Sequence, residues 1–154
     1  MDEKLLIITD GLKGLNNSAI EMIIKGEYAE AERMFETIEN TSRLFGYEGG
    51  IGMARLSLAN VSILKGDVFE ALAHIEVAEC CNLTGNDGET VCSLHKKIAL
   101  MALEVGIRME NSGELRDALD LFERIHPYLN EKRAVAVKEE ILNLKEYLDG
   151  GGEP

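Results

Sequence analysis

Gly66-Asp67-Val68-Phe69-Glu70-Ala71 gives away the architecture of this chain, because its pattern occurs three times. Gly26-Glu27-Tyr28-Ala29-Glu30-Ala31 and Gly113-Glu114-Leu115-Arg116-Asp117-Ala118 follow the same order of glycine, acid, apolar residue, any residue, acid and alanine. The match runs on past the alanine: Phe35, Ile75 and Phe122 stand four residues later, Glu36, Glu76 and Glu123 five, and Ile38, Ala78 and Ile125 seven. From Gly26 to Gly66 is 40 residues and from Gly66 to Gly113 is 47, periods that belong to stacked helical repeats. Each part has a physical reason. Glycine ends a helix because it takes a left-handed backbone conformation without steric cost. The acid after it sits where it can cap free N–H groups and meet the positive end of the next helix. Alanine and the apolar residues four and seven further on form one stripe, with the small residue allowing close helix approach. One such unit cannot bury its own stripe, so neighbours must stack.

Working outward, Leu5, Ile8, Leu12, Leu15, Ala19 and Met22 continue the helical period towards the N-terminus. A first helix is expected from about Glu3 to Lys25, with Gly11 and Gly14 as its weak points. The second is expected from Glu27 to Phe45. Gly46-Tyr47-Glu48-Gly49 and Gly85-Asn86-Asp87-Gly88 read as turn-rich joints. Further helices are expected over Gly50–Lys65, Asp67–Asn82, Glu89–Ser112 and Glu114–Asn130, the last kinked or ended by Pro127. The fifth is the longest and is expected to project from the stack. A capping helix from about Lys132 to Leu148 carries Val137, Ile141, Leu144 and Leu148 on one stripe, and residues 150–154 read as a disordered tail. The expectation is therefore an all-α, right-handed solenoid of three helix pairs plus a cap, forming a single domain over residues 1–149.

With these residues in place, the chain resembles the tetratricopeptide repeat family in its long-repeat variety. The glycine, the acid and the alanine match the turn and second-helix start of that consensus in all three copies. The first helices match less fully: Leu58-Ala59 and Val105-Gly106 stand where the family prefers Leu-Gly, Ser18 and Ala19 fill those places in the first copy, and Leu15, Arg55 and Ala102 stand where it prefers Trp. The resemblance covers about Gly11 to Leu129. It implies a concave groove lined by successive first helices, where a peptide or partner protein lies. Carried onto this sequence, the groove positions are Asn16, Asn17, Ile20 and Ile24, then Met53, Leu56, Ser57, Asn60 and Leu64, then Leu100, Leu103, Glu104 and Ile107. Asparagine amides would suit a peptide backbone, since they both donate and accept. The positions that grip a C-terminal carboxylate in some relatives hold Asn16, Ile20, Ser57, Leu100 and Glu104, none of them basic, so that mode of docking is not expected.

Composition bounds the rest. Hydrophobic residues make up 45% of 154 and charged residues 29%, as in ordinary soluble domains. The net charge of −12 opposes binding to nucleic acid and to anionic membranes, and favours a basic partner. With no bilayer-length apolar run and no signal-peptide pattern, the expected location is cytoplasmic. Cys80, Cys81 and Cys92 with His95 raise a zinc site, but Cys80 and Cys81 are adjacent and no Cys-x-x-Cys pair exists. Buried, reduced thiols are the expectation, with no metal and no cofactor. Gly46 to Gly52 is glycine-rich but lacks the Lys-Ser/Thr of a phosphate loop. His74, His95 and His126 form no triad pattern, and pairs such as Glu139-Glu140 read as a solvated face. The expected function is a non-catalytic interaction module. The alternatives are a sensor that changes shape on binding a peptide or small ligand, and self-assembly through the stack ends.

Overall fold

A computed structural model describes residues 3–81, 83 and 86–150. It is all-α, 88% helix, with no strand among the described residues. The helices are α1 (Glu3–Ile24), α2 (Tyr28–Leu44), α3 (Glu48–Lys65), α4 (Val68–Glu79), α5 (Asn86–Asn111), α6 (Leu115–Ile125) and α7 (Glu131–Asp149), with a short 3-10 turn at His126–Tyr128. They fall into two compact units, one up to Leu94 and one from His95.

The glycines do what their conformational freedom allows. Gly26, Gly66 and Gly113 have φ of 77°, 81° and 85°, and Gly46 joins them at 66°. At each, two N–H groups turn back onto carbonyls of the ending helix. Gly66 donates to Ile63 at 3.0 Å and Asp67 to Ser62 at 2.9 Å; Gly46 and Tyr47 repeat this onto Arg43 and Ser42. The following acid behaves less uniformly than expected. Asp67 accepts a hydrogen bond from the Glu70 N–H at 3.1 Å, whereas Glu27 and Glu114 make no side-chain cap. The extra methylene of glutamate places its carboxylate badly for the nearby N–H groups, which the shorter aspartate reaches.

Helix limits differ from expectation mainly at the joints. α1 runs unbroken through Gly11 and Gly14, and α4 stops at Glu79 rather than Asn82. α3 and α5 begin earlier, at Glu48 and Asn86, so Gly49, Gly50 and Gly88 belong to first turns. α6 ends at Ile125, where Pro127 diverts the chain into the 3-10 turn. Of the two turn-rich joints, Gly85 lies outside the described residues, as does the expected tail from Gly151 on.

Consecutive helices pack: α1 on α2, α2 on α3 and α3 on α4 in the first unit, α6 on α7 in the second. The repeated stripe is the core. Ala31, Phe35 and Ile38 of α2 are buried with Ala19, Ala54, Leu58 and Val61. In α4, Ala71, Leu72, Ile75 and Ala78 are fully buried; in α6, Ala118, Leu121, Phe122 and Ile125 are buried, and Val137 and Leu144 are the buried residues of α7. Each large apolar side chain so placed stabilises by about 1.5–3 kcal/mol.

Candidate functional site

The first unit holds an open cleft of about 760 Å³. Ile20 and Ile23 come from α1, Phe35 from α2, and Met53, Leu56, Ser57 and Asn60 from α3; Glu89, Thr90, Ser93 and Leu94 come from the start of α5. The four α3 positions share a face because they are spaced three or four apart, and Ile20 and Ile23 do likewise on α1. The buried side of each helix is fixed by Ala19 on α1 and by Ala54, Leu58 and Val61 on α3, which turns the next stripe outward. The floor is apolar and partly open to water, with Ile20 at 44% and Met53 at 38% exposure. Ser57, Asn60, Glu89, Thr90 and Ser93 supply its polar groups.

Of the residues expected to bind a partner, Ile20, Met53, Ser57 and Asn60 line this cleft, together with Leu56. Asn16, Asn17, Ile24 and Leu64 lie on α1 and α3 outside its lining; Ile24 and Leu64 are exposed. Leu100, Leu103, Glu104 and Ile107 belong to the second unit. There, Leu100 joins Lys96, Tyr128, Leu129, Asn130 and Arg133 around a smaller hollow of about 250 Å³. The four α5 residues of the cleft were missed, because groove positions carried over from a shorter repeat begin further along the helix. The signal was present: at 26 residues α5 is eight longer than the 18-residue α3.

In the same unit, α2, α3 and α4 share a charged network that the sequence did not announce. Glu39 is almost fully buried and faces two arginines. Arg55 Nε lies 2.7 Å from Glu39 Oε1 as an ion pair, and Arg55 Nη2 donates to Oε2 at 3.0 Å. Arg43 Nε donates to the same Oε2 at 2.9 Å. Burial alone would raise the Glu39 carboxyl, but the hydrogen bonds and charges of Arg55 and Arg43 outweigh it and hold the pKa below the usual range. Arg55 Nη1 also lies 3.1 Å from His74 Nδ1. A guanidinium can only donate, so Nδ1 accepts and the ring proton sits on Nε2, which is 3.6 Å from Glu70 Oε1. Burial and the Arg55 charge push the His74 pKa down, consistent with that neutral tautomer. Lys65 extends the chain, 2.9 Å from Glu32 and 3.7 Å from Glu70.

The other chemical candidates separate. The cysteines are not the buried core thiols expected: Cys80 and Cys92 are exposed and Cys81 half-buried, because Cys80 and Cys81 fall just past the C-terminal end of α4 and Cys92 on an exposed side of α5. Burial, then the Glu48 charge, raises the Cys81 thiol, the opposite of what a reactive or metal-binding cysteine needs. No group of three His, Cys, Asp or Glu suited to a metal occurs among the described residues. His95 is buried and stacks on Tyr128, with ring centroids 3.2 Å apart. In the glycine-rich segment, a Cβ on Gly50 would strike the Ser42 side chain of α2, so this glycine lets α3 pack against α2, whereas a Cβ on Gly49 would meet only the ring of its near neighbour Tyr47, at 2.9 Å. No helix among the described residues is long and apolar enough to cross a membrane. No protein-family model and no curated protein matches the chain.

In the second unit Glu140 is not on a solvated face, as Glu139 is; it meets Glu110 of α5. The hydrogen bond with Glu140, then burial, then the Glu140 charge push the Glu110 carboxyl up to about 7. Its folded pKa lies above the unfolded value of 4.5, so the shared proton stabilises fully below that value and its contribution is lost as pH rises through 7. Glu110→Gln donates at every pH. The variant is therefore expected to melt a few degrees above wild type at pH 8, with the gap closing by pH 5. A gap independent of pH in paired melting curves would show that the two carboxyls do not share a proton.

Proposed function

We propose that the chain is a non-catalytic interaction module of the tetratricopeptide kind, a right-handed stack of antiparallel helix pairs that holds a peptide or partner protein in the cleft over α3. One observation carries the reading: Ile20, Met53, Ser57 and Asn60, groove positions that the family resemblance implies, line one cleft. Its volume lies within the ~300–1,000 Å³ of ligand sites, and its mixture of apolar floor and convergent polar groups is that of a recognition surface. The left-handed glycines and buried alanines, repeated at 26/31, 66/71 and 113/118, support the repeat architecture.

The test is capture of native partners by wild-type protein and by a Met53→Glu/Asn60→Ala variant. Both residues are exposed, so the variant should keep its helical spectrum. Affinity for the partner should fall at least tenfold, about 1.4 kcal/mol, because an apolar contact of the floor is lost and a carboxylate would have to be desolvated there, which outweighs any attraction to a basic partner. Partners that survive this change but are lost on neutralising Glu36, Glu76 and Glu123, all exposed on second helices, would move the working surface to the opposite face.

A further inference from the structure

We propose that the occupant of the cleft is a basic peptide segment bound in extended conformation, with apolar side chains on the Ile20–Met53–Leu56 floor and a lysine or arginine against Glu89; this rests on the cleft reading above. The charge distribution points to the sign. Residues 1–94 hold sixteen acids and seven Lys or Arg, a net −9, while residues 95–154 hold twelve and nine, a net −3. The acidity of the chain is thus concentrated in the unit that carries the cleft. Arg33, Arg43, Arg55 and Lys65 of this unit are already held by its own acids. Among the described residues no Lys or Arg lines the cleft, whereas the Glu89 carboxylate does. An acidic segment would meet a repelling field and no counter-charge; a basic one is drawn in and finds Glu89.

The polar groups point to the backbone conformation. A bound helix satisfies its own N–H and C=O groups and asks only for an apolar trough. Here Ser57, Asn60, Thr90 and Ser93 stand along the cleft with hydroxyls and an amide, the donors and acceptors that an extended backbone lacks internally. An extended segment also sends alternate side chains to opposite sides, so apolar residues can face the floor while basic ones face Glu89 and the acidic surroundings.

The experiment is selection of a displayed random peptide library on the full chain, with each enriched peptide then measured against three proteins: wild type, Ile20→Ser/Met53→Ser, and Glu89→Gln. The expected peptides carry net positive charge interspersed with apolar residues. They should bind the floor variant at least tenfold more weakly and Glu89→Gln about threefold more weakly, the range of an exposed ion pair. Their affinity should fall roughly tenfold between ~0.1 M and ~1 M salt, as the screening length drops from ~10 to ~3 Å. Floor-dependent peptides that are neutral or acidic, or indifferent to Glu89→Gln and salt, would overturn the basic occupant and leave the cleft reading standing. A helical pattern of nuclear Overhauser effects in the bound peptide would overturn the extended one. Enrichment without any floor-dependent peptide would remove the cleft reading itself.

Discussion

Glu39→Ala is expected to cost about 3 kcal/mol, more than loss of any exposed ion pair on the molecule. The carboxylate has side-chain exposure of 9% and anchors two guanidiniums, one of which, Arg55, is itself only 24% exposed. Removing it leaves Arg55 beside Arg43 and a neutral His74 with no negative partner between them, so two like charges face each other across a vacated space. The estimate sits at the lower end of the ~3–5 kcal/mol range for a broken buried pair, because Arg43 is half exposed and water can reach its guanidinium. Denaturant titration followed by circular dichroism reads the loss directly. Two controls separate charge from packing. Glu39→Leu with Arg55→Met should recover most of the stability, since well-packed apolar residues replace a buried pair at little cost. The difference between wild type and Glu39→Ala should also shrink in acid. The Glu39 pKa is lowered, so its contribution is complete above the unfolded value of 4.5 and is lost as pH falls through the folded one. A loss under ~1 kcal/mol, unchanged by acid, would mean that the network is a surface feature.

The same network marks where sequence reading stopped. The repeated Gly-acid-apolar-x-acid-Ala pattern made the helices, their order and their buried stripe legible, because glycine conformation and helical period act locally. Ala31, Ala71 and Ala118 are each fully buried where the pattern put them. Arg55 was legible only as a residue out of place, standing where the resembling family prefers tryptophan. What it does depends on Glu39, sixteen residues earlier on α2, and His74, nineteen later on α4, and nothing local specifies those distances. The cleft divides in the same manner. Ile20, Met53, Ser57 and Asn60 follow from the family resemblance, whereas Glu89, Thr90, Ser93 and Leu94 enter it through the extra length of α5. The cysteines misled because a small apolar residue type suggests burial, while the early end of α4 left Cys80 outside.

Glycine substitutions offer the second large effect, through a change of sign at two positions with the same residue type in the same kind of element. Gly14 lies inside α1 and is exposed, and a Cβ built there meets nothing within 4 Å. Gly14→Ala should therefore stabilise by the full helix-propensity difference, ~0.8–1 kcal/mol, or a rise of ~2–4 °C in melting temperature. Gly106 lies inside α5 and would gain the same propensity. A Cβ there, however, falls 2.5 Å from Phe122 Cε1 and 3.1 Å from Cδ1 and Cζ. The ring is 2% exposed and flanked by Ala118, Leu121 and Ile125, which leaves it nowhere to retreat without moving α6. Overpacking of ~1–3 kcal/mol opposes a gain of ~1 kcal/mol, and the closeness of the contact puts the cost at the upper end. Gly106→Ala should be destabilised by about 2 kcal/mol, and Gly106→Val by more, since the branched side chain adds a second clash and loses helical propensity. Truncating the ring at the same time decides the cause: Phe122→Leu should be costly alone yet reduce the penalty of Gly106→Ala, a coupling that thermal melts of the four proteins would measure. Additive effects of the two changes would mean that Gly106 and Phe122 do not share a contact and that α5 and α6 are not held together by the missing side chain.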